Sequence, residues 1–273
     1  MRIILTGTIV GAALLAALYS PLPSLSREMD GYLVAESAPE KPADNPAPAA
    51  EPAKDLTLGE ILAKYYAAIG GLGGWQSINT LVIKGTILSQ HREITTTAEY
   101  MRPDKCRVTY MIGGKLVVQA YNGETGWQQS ALSENIASEV LDASRTVYLR
   151  DRCGIESPLL DYEKKNVKVT LEGKDIVDGK DAYKIKVTYT SGNFQYYLLN
   201  TLSFLPVKTV GFYTVGGQEV VMMTRFKEYK RVGNILVPFK LAIEKKGNAP
   251  REEYVVESVT PNAPINPPIF NMP

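Results

Sequence analysis

From Asn79 to Thr260 apolar and polar residues alternate with a period of two over short runs. The pattern predicts strands near 80–89, 92–101, 105–112, 115–121, 125–129, 167–174, 181–190, 194–199, 205–213, 218–229, 235–246 and 251–260. Turn chemistry separates them: Pro103-Asp104, Gly113-Gly114, Asn122-Gly123, Asp178-Gly179, Ser191-Gly192-Asn193, Gly216-Gly217 and Gly233-Asn234. Connections this short cannot carry a parallel crossover, so an antiparallel meander is expected. Tyr183, Ile185, Val187 and Tyr189 alternate with Ala182, Lys184, Lys186 and Thr188, one buried face against one wet face. Tyr196-Tyr197-Leu198-Leu199 and Val220-Val221-Met222-Met223 are apolar on both faces and read as central strands under a covering helix. Many strands with little helix should curl into a mainly β fold: a curved antiparallel sheet forming an incomplete, half-open β-barrel.

Two stretches break the period. Thr57 and Glu60 have capping-box spacing, and Leu58, Ile61, Leu62, Tyr65 and Ile69 then recur on one helical face up to Gly70. The glycines at 70, 71, 73 and 74 follow a helix instead of joining a strand to one, so they read as a helix end and turn, not a phosphate loop. Between Ser130 and Val167, Ile136, Val140, Ala143 and Val147, flanked by Ala137, Leu141 and Tyr148, form an apolar stripe. Glu134, Asn135, Glu139 and Asp142 lie opposite, which predicts an amphipathic helix. Both helices need something to cover, and the apolar side of the curved sheet supplies it.

The N-terminal part is not domain-like, so the 273 residues hold one folded domain. Arg2 precedes an uncharged apolar run from Ile3 to Tyr19, closed by Pro21 and Pro23. Residues 1–26 therefore read as an export signal cleaved before Arg27 or, because the run is close to the minimum that spans a bilayer, as a retained anchor. No cysteine lies near it, which excludes a lipoprotein anchor. Residues 27–54 are a linker whose proline-alanine tract from Ser37 would extend roughly 50 Å in polyproline II geometry. The β domain spans 55–260, and the proline-rich tail 261–273 is expected to run extended along it, with Ile265 and Phe270 plugged in.

Charge and chemistry narrow the function by exclusion. Lysine plus arginine (30) nearly balances aspartate plus glutamate (29), so no whole-protein field draws in nucleic acid. The 16 tyrosines favour half-buried pleated surfaces. His91 is the one histidine and reads as an exposed turn residue; with two distant cysteines it offers no metal-ligand spacing. No nucleophile elbow, Walker loop or dinucleotide fingerprint occurs, so no catalytic residue, cofactor or metal is assigned and a non-enzymatic role is expected. Cys106 and Cys153 are an even pair in an exported chain, and a disulfide between them is the default, with two separate buried thiols as the alternative.

Four stretches carry a family likeness: IleLeuAlaLysTyrTyrAlaAlaIleGlyGly at 61–71, MetArgProAspLys at 101–105, LysLeuValValGlnAlaTyrAsnGlyGluThrGlyTrp at 115–127 and AspGlyLysAspAlaTyrLysIleLysVal at 178–187. With the order helix, meander, interrupting helix, meander, proline-rich tail, the chain resembles the periplasmic lipoprotein-carrier (LolA-like) superfamily over residues 57–260. The resemblance implies an incomplete barrel whose concave apolar face, closed by helices, receives the acyl chains of a lipoprotein. It also implies a latch, because in the family an arginine directly before a proline holds the lid shut, and Arg102-Pro103 matches that position. The long linker and the cysteine pair depart from the simple soluble carrier.

The expected function is thus a non-catalytic binding protein of a diderm envelope that shields lipid or lipoprotein acyl chains, periplasmic or held at the inner membrane. A membrane protein that loads or receives the cargo is an expected partner. The alternative is a tethered structural or sensory module whose cavity is filled by its own side chains. Val118, Trp127, Val140, Tyr148, Ile185, Val187, Tyr196, Leu198, Met222, Phe239 and Leu241 are the candidate cavity lining.

Overall fold

A computed structural model describes residues 55–89, 92–133, 136–246 and 251–273. The segments expected to be an export signal or anchor and a linker, with His91, lie outside the described residues. The Thr57 side chain accepts from the Glu60 backbone N–H while the Glu60 carboxylate accepts from the Thr57 N–H, closing the expected capping box of helix α1 (Leu58–Ala68). Ile61, Leu62 and Tyr65 are its buried face, with Ile69 buried at its end. Gly70 and Gly71 then take positive φ and turn the chain into a short second helix, α2 (Leu72–Gln76), which seats Trp75 in the core. The glycine reading holds for the turn, and Gly73 and Gly74 belong to that second helix.

Strands follow: β1 (Thr80–Ser89), β2 (Arg92–Met101), β3 (Lys105–Ile112), β4 (Lys115–Tyr121), β5 (Gly126–Ser130) and a two-residue β6 (Glu139–Val140). Helix α3 (Ala143–Arg150) and an irregular segment lead to β7 (Lys168–Val177), β8 (Lys180–Thr188), β9 (Phe194–Asn200), β10 (Pro206–Val215), β11 (Gln218–Val232), β12 (Ile235–Lys245) and β13 (Glu252–Pro261). They make one antiparallel 13-stranded sheet in the order β6-β5-β4-β3-β2-β1-β13-β12-β11-β10-β9-β8-β7. Because the first strand pairs with the last, Leu81 opposite Pro261 and Leu88 opposite Glu253, the two free edges come from the middle of the chain. The expected half-open barrel is therefore observed, and the segment joining its edges, residues 141–167, is the one placed to cover it.

The interrupting helix is shorter than the apolar stripe predicts. Asp142 caps α3, its carboxylate accepting from the Arg145 N–H at 2.9 Å, so the helix starts there. Upstream, Glu139 and Val140 pair with β5 instead, and Ile136 and Val140 are exposed. An N-cap in the middle of the stripe outweighed its periodicity.

Both faces of the sheet carry apolar side chains. The main core on the concave face joins α1, α2, α3 and the strands, with Tyr65, Trp75, Tyr110 and Tyr254 among its largest fully buried members. On the convex face Val118, Ala120 and Trp127 form a separate cluster. The Trp127 indole N–H donates to the Phe270 carbonyl at 2.7 Å, and Phe270, in a 3-10 turn (Pro267–Phe270), is fully buried. The tail thus lies on the outside of the sheet, with a 3-10 turn where an extended run is expected, Phe270 buried and Ile265 half-buried. Among the described residues no helix is long and apolar enough to cross a membrane.

The end of α1 lies against the β11–β12 turn: Leu236 N–H donates to the Ile69 carbonyl at 2.9 Å, and a Cβ on Gly70 would sit 1.9 Å from the Asn234 carbonyl oxygen. With φ at +107° as well, Gly70→Ala is expected to cost about 3 kcal/mol, read as a lower denaturant midpoint. Gly71→Ala, where no atom stands in the way, should cost only its strain, about 1 kcal/mol.

Candidate functional site

The concave face and its cover are the candidate site. Residues 151–166 run inward: Cys153, Ile155, Ser157, Leu159 and Leu160 are buried, so this stretch plugs the barrel instead of lying across its mouth. A disulfide joins Cys106 on β3 to Cys153, Cα atoms 5.3 Å apart, and staples the end of α3 to the sheet. That is the bridged alternative for the cysteine pair.

Arg102, in the turn after β2, reaches both parts of the cover. Its Nε donates to the Ile78 carbonyl at 2.7 Å and Nη2 to the Trp75 carbonyl at 3.0 Å, the latter shared with the Ile78 N–H, which ties the guanidinium to the end of α2. The same guanidinium meets Glu156 in a fork, Nη2 to Oε2 at 2.7 Å and Nη1 to Oε1 at 3.3 Å. Lys165 approaches the other side of that carboxylate at 2.9 Å, and burial lowers its pKa despite the pull of Glu156. Tyr66 Oη donates to the Leu159 carbonyl at 2.7 Å, and the Gln76 amide bonds Asp161. The covering segment is thus fastened to α1, α2 and the sheet by side chains rather than by a strand ladder.

At its other end, Ser144 accepts from the Gly216 N–H at 2.6 Å and Asp151 accepts from Asn193 at 3.1 Å and from Ser191. Helix α3 thereby spans from β4 and β5 to the β8–β9 and β10–β11 turns. Below it the Arg152 guanidinium lies 5.2 Å from the Tyr148 ring and 5.0 Å from the Tyr213 ring, a cation on aromatic faces. The rings of Tyr213 and Tyr254 lie where Cβ atoms on Gly211 and Gly85 would be, so tyrosines fold flat onto bare backbone and fill the interior. A cleft bounded by Gln119, Gln128, Leu141, Arg145, Tyr148, Leu149 and Val215 has room for about one water, ≈ 10 Å³. Among the described residues no group of three histidine, cysteine, aspartate or glutamate side chains could hold a metal.

One ionisable pair faces the same end of the interior. Burial pushes Glu252 up to about 7 and Lys245 down to about 8, each opposed by the charge of the other. The folded pKa of Glu252 lies above its unfolded value, so its stabilising contribution is complete at low pH and is lost as pH rises through about 7. That of Lys245 lies below its unfolded value, so its contribution is present at high pH and lost as pH falls through about 8. Thermal melts should show this pair's contribution at a minimum between those values, and Lys245→Met with Glu252→Gln should remove the dip.

Of the eleven residues read as lining, Tyr148, Ile185, Val187, Met222 and Leu241 are buried in the concave core, and Phe239 is half-buried against it. The others do not line the interior. Val118 and Trp127 lie on the convex face under the tail, Val140 is exposed there opposite Trp127, and Tyr196 and Leu198 belong to a convex cluster with Val177 and Ala182. Val118, Tyr196 and Leu198 lie on strands apolar on both faces, which carry no parity signal, and Val140 is expected on the stripe of a helix that does not form there. Glu156 was missed. Its faint signal was a carboxylate next to Ile155 and shortly before Leu159 and Leu160, a charge among residues that bury.

No protein-family model matches the chain, and neither does any curated protein. Solved structures do resemble it. A LolA superfamily protein from Nitrosomonas europaea is 12% identical, with a TM-score of 0.52 over 80% of this chain and 98% of that one. An outer membrane lipoprotein-sorting protein domain from Vibrio parahaemolyticus is 12% identical, with a TM-score of 0.51 over 78% and 95%. A DUF1329 family protein from Desulfovibrio piger is 11% identical, with a TM-score of 0.51 over 77% and 97%. An open 13-stranded sheet, chain ends paired at its centre and a covering segment between its edges make this the LolA-like fold.

Proposed function

We propose that this protein is a non-catalytic, extracytoplasmic binding protein whose concave face takes up the acyl chains of a lipid or lipoprotein. One observation carries the reading: the apolar interior is closed by a segment held mainly through side chains, with Arg102 bonding both α2 and Glu156. Residues 154–166, the part of the cover beyond the disulfide, can let go without dismantling the sheet, because the bonds that hold them to it come from side chains. The described state is then the closed one, with tyrosine rings occupying the space that acyl chains would enter. The fold shared with a LolA superfamily protein and a lipoprotein-sorting domain supports this reading, and the N-terminal apolar run supports export.

A second reading has its own observation. The interior is filled by this chain's own Tyr65, Trp75, Tyr110 and Tyr254, as expected of a structural or sensory module that binds a protein partner and no lipid. Native mass spectrometry of protein isolated from the envelope without detergent separates the two. Discrete lipid-mass adducts that disappear on denaturation support the carrier. A ligand-free spectrum that takes up no phospholipid or acylated peptide overturns it.

A further inference from the structure

The concave core is not uniformly apolar. Arg152, two residues past the end of α3, is only 6% exposed. Its guanidinium stands 5.2 Å from the Tyr148 ring and 5.0 Å from the Tyr213 ring, and Nη2 donates to the Met222 thioether at 4.0 Å. Burial opposes the charge, yet Tyr148, Tyr213, Tyr189 and Tyr197 around it hold its pKa above the ordinary guanidinium value. Register brings a second cation to the same face: Lys245 lies directly opposite Met222 and shares the side of Ile243 and Leu241. Burial pushes Lys245 down to about 8 against the pull of Glu252, and the nearby Arg152 charge adds to the lowering.

The acids near this end of the interior have partners of their own. Asp151 pairs with Arg150 at 3.0 Å and accepts from Asn193 and Ser191, Glu156 is held by Arg102 and Lys165, and Asp142 pairs with Arg145 at 3.1 Å. Glu139 accepts from the Gln128 amide, and Glu252, opposite Ile243, faces Lys245. The contacts of Arg152 with two ring faces and a thioether are of another kind. They are soft, and weaker than the forked bond that a guanidinium makes to a carboxylate or phosphate. An anion that reaches Arg152 therefore gains more than is lost with the rings it displaces.

The cleft under α3 supplies a way in. Gln119, Gln128 and Arg145 give it polar walls, Tyr148 is another wall, and the Tyr148 ring is the one that faces Arg152. Turning that ring aside joins the cleft to the guanidinium without moving a strand. We propose that Arg152, together with Lys245, seats the anionic head of an amphiphile, a carboxylate or a phosphate, whose acyl chain lies along the concave face. The inference rests on the proposed uptake of acyl chains by the interior and narrows it to acidic lipids.

The test titrates the full chain calorimetrically with laurate and dodecyl phosphate, and with their neutral counterparts methyl laurate and dodecanol, all below their micelle concentrations. Both acids are expected to bind the native sequence about tenfold or more tightly than the neutral pair. Arg152→Met should bring the acids down to the neutral level, Arg152→Lys should restore part of the preference, and Lys245→Met should remove a smaller share. Should Arg152→Met misfold, the comparison of heads on the native sequence and the loss in Lys245→Met still decide. Equal affinity for acidic and neutral heads overturns the inference and leaves acyl uptake standing. Binding of none of the four overturns the uptake itself, and the inference with it. An acid preference kept in full by Arg152→Met places the anion elsewhere and overturns the inference. Inorganic phosphate or acetate binding as tightly as the amphiphiles does so too, since a free-anion site needs no acyl chain.

Discussion

Arg102→Leu is expected to lower stability by about 3 kcal/mol, seen as a drop in the denaturant midpoint with little change in slope. The leucine removes donors from the Trp75 and Ile78 carbonyls and leaves Glu156, 9% exposed, with Lys165 as its remaining ion-pair partner. Most of the loss is the cost of a nearly buried carboxylate and of the Ile78 carbonyl left without its donor, the Trp75 carbonyl keeping the Ile78 N–H, so Arg102→Leu with Glu156→Gln should recover part of it. Amide exchange should quicken in 72–78 and 151–166, the segments the guanidinium joins, before it quickens in the central strands. Under the proposed function the same substitution should speed the release of bound lipid, an effect that a self-filled module would not show.

The second large effect is covalent. Replacing both Cys106 and Cys153 by serine opens a loop of sequence separation 47, and the chain-entropy relation gives a loss of about 4 kcal/mol. Both sulfur atoms sit in the concave core, so the serines also bring hydroxyls into an apolar place. Chemical denaturation with and without reductant on the native sequence separates these contributions. The bridge and the Arg102–Glu156 pair hold one segment at two points, Cys153 and Glu156, so their losses should not add, and the double-mutant coupling measures how far they act as one fastening. Mechanistically they differ. The bridge keeps Cys153 on β3 whatever the cover does, which leaves α3 on one side and residues 155–166 on the other as the parts able to move.

Most strand positions and the capped first helix were legible because local chemistry dictates them: a period of two between glycine and proline turns, and a Thr57–Glu60 box ahead of an apolar face. The curl of the sheet followed from strand number and short turns. Side assignment was legible only where one face is wet, as in Tyr183 to Tyr189. In Lys115 to Tyr121 and Phe194 to Asn200 both faces are covered or stacked, and the inward reading of Val118, Tyr196 and Leu198 failed. The helix expected from Ile136 lost about two turns ahead of Asp142, a cap whose competing preference the stripe concealed. For the site, Arg102 was singled out only through the resemblance of Arg102-Pro103 to a family position, and its partner Glu156 lies 54 residues away, a meeting no local pattern encodes. The tyrosine filling was beyond reach as well, since it depends on rings lying over Gly85 and Gly211 from neighbouring positions in the folded sheet.

The central claim is that acyl chains enter the concave face beneath the cover. A phospholipid carrying a photoactivatable diazirine in its acyl chain, added to the full chain and mapped by peptide mass spectrometry, tests it directly. The account predicts cross-links to Tyr148, Met222 and Leu241, which face the interior, with higher yield in Arg102→Leu than in the native sequence. Cross-links confined to the convex residues Phe194, Phe212 and Met223, or none above a bystander protein, would contradict it.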